Sequence, residues 1–85
     1  MPEISRFLGI VIAMFYRDHG PPHFHAVYGG NKASVEIESG KVSGKLPPRA
    51  KKLVLEWLEM HRDELMENWR LAEERRPLNP VEPLE

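Results

Sequence analysis

The apolar residues of this chain follow two different periods, and the change falls at Pro47-Pro48. From Phe7 to Tyr16 the chain is rich in Ile, Val, Phe and Tyr and reads as one strand. Ile10, Ile12 and Met14 fall on one side and Val11, Ala13 and Phe15 on the other, the pattern of a central strand covered twice. His23 to Tyr28 alternates Phe24, Ala26 and Tyr28 against His23, His25 and Val27, and Gly29-Gly30-Asn31 makes the next turn. Ala33, Val35 and Ile37 then alternate with Ser34, Glu36 and Glu38 in a half-exposed strand. Ser39-Gly40 turns into a short last strand over 41–46.

Beyond Pro48, which suits the first turn of a helix, the period becomes helical to about Arg75 with no Gly or Pro inside. Ala50, Leu53, Val54, Trp57, Leu58, Met60, Leu65, Leu71 and Ala72 form one broad arc that should lie on the sheet. The length leaves room for a break near His61-Arg62-Asp63, with Asp63 as a new N-cap. His61, Glu64 and Asn68 interrupt the arc where a packing helix carries Leu or Ala. They are expected to be paired with each other or with the sheet, either as structural caps or as part of a site with the strand histidines. In the tail, Leu78, Val81 and Leu84 recur every three residues, the period of polyproline II, and should dock as an extended apolar edge. The expected architecture is therefore one α+β domain: an antiparallel meander of three to four strands over 1–46, one long helix packed on one face over 47–76, and an extended Pro-rich tail over 77–85.

Composition narrows the function classes. Eighty-five residues make one domain near the lower size for a self-sufficient core, so help from an oligomer is plausible. One helix covers one side of a sheet, so the opposite face, with Val11, Ala13, Phe15 and Val27, is expected to be covered by a second subunit, another protein or the tail, and a homodimer is anticipated. The chain has no cysteine, which excludes disulfides, a thiolate nucleophile and zinc-thiolate chemistry and fits a cytoplasmic setting. The N-terminus lacks a signal-peptide pattern, and the longest apolar run, Ile10 to Tyr16, is too short to span a bilayer. Net charge is −1, which makes no bulk polyanion binder, although a local basic patch can still contact a phosphate backbone.

The chemistry concentrates in Asp18-His19-Gly20-Pro21-Pro22-His23-Phe24-His25-Ala26, which holds three of the four histidines. Histidine exchanges protons near neutral pH and is the commonest metal ligand. Three readings stay open. His23, His25 and His61 can supply general acid and base for cleavage of an RNA phosphodiester, with Arg17, Arg49, Lys51 or Lys52 neutralising the phosphate and no cofactor required. Alternatively, His23 and His25, on the same face of a strand, can hold zinc or another divalent transition metal with His19, the third ligand otherwise coming from Asp18, Glu36, Glu38 or His61. In the third reading the histidines satisfy carbonyls around a stiff Pro-Pro turn, in which one X-Pro bond is cis, and are structural. Phe24, Tyr28, Trp57 and Trp69 read as core rather than as a base-stacking platform, and no phosphate loop, Walker motif or serine elbow occurs.

Pro2-Glu3-Ile4-Ser5-Arg6-Phe7 with Gly9-Ile10-Val11-Ile12, the histidine motif, and Leu46-Pro47 leading to Trp57, His61, Glu64-Leu65 and Asn68-Trp69 resemble a family of small bacterial proteins catalogued as a domain of unknown function. The resemblance runs almost end to end. It implies one half of a toxin–antitoxin-like pair, with a cognate small protein from a neighbouring gene as partner, and it carries over no catalytic residue.

Overall fold

The computed structural model describes residues 2–16 and 18–84. Five strands, β1 (Glu3–Phe7), β2 (Ile10–Ala13), β3 (His23–Tyr28), β4 (Asn31–Glu36) and β5 (Val42–Gly44), precede one long helix, α1 (Pro48–Glu73). All neighbours are antiparallel in the order β1-β2-β3-β4-β5, a plain meander.

Five strands rather than three to four arise because the run from Phe7 to Tyr16 is not one strand. Leu8 and Gly9 adopt φ of 51° and 84°, and the chain reverses there, so Phe7 pairs with Ile10. Two successive residues at positive φ suit a tight hairpin whose twist matches its strands. Glycine accepts that conformation freely; leucine does not, and its apolar side chain hides the turn in the pattern.

The core lies between the sheet and α1. Ile10, Ile12, Met14, Phe24, Val35 and Ile37 are fully buried on the sheet side, and Val54, Trp57, Leu58 and Leu65 on the helix side. Trp57 is the keystone, its ring 5.4 Å from Phe7 and 5.6 Å from Phe24. Removing a buried Trp side chain costs about 3–5 kcal/mol. Met60, placed on the arc by its period, is exposed instead. At 100° per residue Met60 falls at the very edge of the arc, and the next residue, His61, kinks the helix with φ of −128° and ψ of 24°. The kink falls where the length of the helix left room for a break, within one helix that runs on to Glu73. Arg62 anchors it by donating from Nε to the Ile37 carbonyl at 2.9 Å.

The tail docks on its own domain. The Val81 N–H donates to the Ile4 carbonyl at 2.8 Å along the β1 edge, and the Trp57 indole donates to the Glu82 carbonyl at 2.8 Å. Val81 is buried, with Leu78 and Leu84 packed against the same cluster. The tail thus extends the helical layer and leaves the other sheet face open. Cross-strand rows on that face read Arg6, Val11, Val27, Lys32 and Ala13, His25, Ser34, Ser43. Ala13 is fully buried within the chain itself, so the apolar part of the open face reduces mainly to Val11, Val27 and Phe15. Among the described residues, no helix is long and apolar enough to cross a membrane.

Candidate functional site

The start of β3 and the turn before it build the site. Alternation along β3 buries Phe24 and Ala26 and turns His23 and His25 to the open side. The Gly20-Pro21 bond is cis, and the preceding chain returns so that Asp18 lies against both imidazoles. Asp18 Oδ2 is 3.0 Å from His23 Nε2 and 3.4 Å from His25 Nε2, while Oδ1 accepts the His19 N–H at 2.9 Å. His23 Nδ1 donates to the Pro21 carbonyl at 2.9 Å. The ligand-type atoms of Asp18, His23 and His25 all lie within 4.8 Å of one another.

Aromatic rings wall the cluster. Trp69 from α1 lies 5.2 Å from His23, and Phe15 meets the His25 ring edge-on at 4.5 Å. The side chains of His23 and His25 are 16% and 24% exposed, so the cluster is partly dry yet open to solvent. Burial holds the His25 imidazole below its usual pKa, outweighing its hydrogen bond to Asp18, with the charges of His23 and Lys32 acting in the same direction as burial. Burial alone would raise the Asp18 carboxyl, but the His19 amide and the two imidazoles together lower it.

The structure brings together only part of the residue set that the sequence suggested. His23 and His25 meet, and Asp18 joins them. His19 is exposed and supplies only its amide to the cluster. His61 faces Glu64, with Nδ1 2.6 Å from its carboxylate, and packs 5.6 Å from Trp57. Arg49 lies with Leu8, Tyr28 and Leu53, at the end of β3 opposite His23. Six strand residues separate those ends by roughly 16 Å at about 3.3 Å per residue. Lys51 and Lys52 occupy the same first turn of α1 as Arg49, and Arg17 lies outside the described residues. Asp18 was legible as one of several third ligands. Trp69 as a wall of the site carried no sequence signal, because its period marks it simply as core.

A five-stranded antiparallel meander backed by one kinked helix, with an Asp-His-His cluster at the edge of its open face, defines an α+β domain of one layer of helix on sheet. The chain belongs to the family described as Domain of unknown function (DUF4160), which matches residues 9–70 and so takes in the histidine cluster and the helix as far as Arg70. No curated protein and no protein of solved structure matches the chain.

Proposed function

We propose that this chain is a metal-binding module that holds one divalent transition metal, with zinc the best fit, through Asp18, His23 and His25. His23 carries the reading. Its Nδ1 faces a carbonyl oxygen, which accepts only, so Nδ1 bears a proton. In the neutral ring Nε2 is then a lone pair, yet it stands 3.0 Å from a carboxylate oxygen. Two acceptors repel at that distance unless a positive charge joins them. A metal cation between them removes the conflict, as would a second ring proton; the metal is favoured because a ligating histidine ordinarily donates its other N–H to a backbone carbonyl as His23 does. Tetrahedral zinc with ligand bonds of about 2.05 Å separates neighbouring donors by about 3.3 Å. The separations of Asp18 Oδ2 from the two imidazoles, 3.0 and 3.4 Å, lie near that value, and the third pair of donors lies within 4.8 Å. Three protein ligands leave a fourth position for water or a bound group.

The metal-independent ribonuclease is the second reading, favoured by one observation. Asp18 touches both imidazoles, and burial favours a neutral His25, which suits that ring as the base of an acid–base pair. Against it stands the position of Arg49, Lys51 and Lys52 at the far end of β3. The cytoplasmic, toxin–antitoxin-like pairing with a neighbouring gene's product belongs to the proposal as the setting in which the module acts. Co-purification of the two products tests it, and light scattering tests self-association.

Zinc titration of chelator-treated protein by calorimetry decides between the two chemistries. One equivalent should bind, with binding lost in Asp18→Asn, His23→Ala and His25→Ala and kept in His19→Ala. Absence of zinc binding at micromolar concentration, together with RNA cleavage that survives EDTA and disappears in His25→Ala, would overturn the metal reading.

A further inference from the structure

A cleft of about 360 Å³ opens on the sheet face away from α1. Its lining combines Phe15, His25, Val27, Lys32, Ser34 and Ser43. The strand register explains this assembly. Val27 pairs with Lys32, and His25, Ser34 and Ser43 form one continuous cross-strand row. Directly opposed side chains in such rows stand about 5 Å apart, so the ammonium-bearing stem and two hydroxyls converge from β4 and β5. Gly44 keeps β5 close: a Cβ there would meet the Lys32 carbonyl at 2.7 Å and the Ala33 Cα at 2.8 Å. Phe15 and Val27 supply the apolar wall.

The charge balance of the cleft is one-sided. None of the described lining residues is acidic, and Lys32 makes no ion pair among the described residues. A volume near the lower end of the roughly 300–1,000 Å³ usual for small-ligand sites admits a compact molecule only. Its complement is an anion with a short apolar body: the charge on Lys32, the acceptor oxygens on Ser34 and Ser43, and the body against Phe15 and Val27. A bare inorganic anion leaves the apolar wall unmatched, and a neutral molecule leaves the ammonium unmatched.

We infer that this cleft is a binding site for a small aryl or branched aliphatic carboxylate, separate from the metal cluster but sharing His25 as a wall. The inference does not rest on metal occupancy. Lysine presents a compact point charge with three donors, which suits a carboxylate approached end-on.

Benzoate is the probe, titrated into metal-free protein and followed by amide shifts in heteronuclear NMR. Saturable shifts are expected at Phe15, Val27, Lys32, Ser34 and Ser43. Benzyl alcohol, which keeps the body and lacks the charge, should bind about tenfold more weakly, the loss expected for one charge-assisted contact, and inorganic phosphate, which keeps a charge and lacks the body, should also bind about tenfold more weakly because it leaves the apolar wall uncovered. Lys32→Gln, at an exposed position, should weaken benzoate by a similar factor with its amide spectrum otherwise unchanged, and Val27→Ala should weaken it without touching zinc affinity. Equal binding of the alcohol, indifference to Lys32→Gln, or a lack of saturable shifts because a second copy covers the face would each overturn the site. Binding that required zinc would also overturn it, by placing the carboxylate on the metal. Failure of the zinc titration alone leaves this result intact.

Discussion

Asn68 clasps the peptide of Asn79 from both sides: its Nδ2 donates to the Asn79 carbonyl at 2.9 Å and its Oδ1 accepts the Asn79 N–H at 2.8 Å. A side-chain amide matches one donor and one acceptor of a backbone, and Asn68 is completely buried in doing so. This pairing accounts for a polar residue in the middle of the apolar arc. Asn68 serves the tail and not the sheet, and His61 with Glu64 forms a separate pair.

Truncating the clasp should loosen the tail before the sheet. Asn68→Ala is expected to cost about 1–3 kcal/mol in urea denaturation, with earlier proteolysis beyond Arg76. Asn68→Asp should cost more, because it keeps the acceptor, loses the donor and buries a charge. Equal stability of all three chains would contradict the clasp.

His23 and His25 should matter chemically more than structurally. Each is half-buried at the rim of the core, so single replacement by Ala should change stability by about 1 kcal/mol or less in chelator-treated protein. Zinc binding should nevertheless disappear in both. Variants that fail to fold would return the motif to a structural role.

The metal-free protein should lose stability on acidification. The folded pKa values of both His25 and Asp18 lie below their ordinary values, so the unfolded chain binds more protons. Their stabilisation is complete above the unfolded values and declines as pH falls, first through the ordinary histidine value of 6.5 and then through the ordinary aspartate value of 3.8. Thermal melts of chelator-treated protein should show a falling Tm as pH drops from about 7 to 5, and His25→Gln should flatten that slope. A Tm that rises over that interval would contradict the burial of His25.

His61 sits at the kink with its side chain 10% exposed, one nitrogen paired to Glu64 and Nε2 buried without a partner among the described residues. His61→Ala should cost about 1–2 kcal/mol through lost packing on Trp57. His61→Phe keeps an aromatic ring against Trp57 and removes the orphaned nitrogen, so it should recover much of that loss, since an unpaired buried polar group is itself unfavourable. Denaturant midpoints of the two variants test the comparison.

Periodicity made β3, β4, the helix and the apolar edge of the tail legible, because side-chain direction in strands, helices and polyproline II is a local property of the backbone. Ala33, Val35 and Ile37 are buried as their alternation requires, and so are Val54, Trp57, Leu58 and Leu65. The hairpin at Leu8-Gly9 escaped that reading because leucine is no turn signal, and apolar residues before and after the reversal merge into one run. The histidine motif announced a site. Which residues complete it was decided in three dimensions, where the chain reversal before β3 returns Asp18 to His23 and His25, and where α1 brings Trp69 to one wall. The same packing sends His61 to Glu64 and Arg49 to the far end of β3. A sequence records which face each residue presents; which faces then meet depends on turns and crossing angles set by the packing of the whole core.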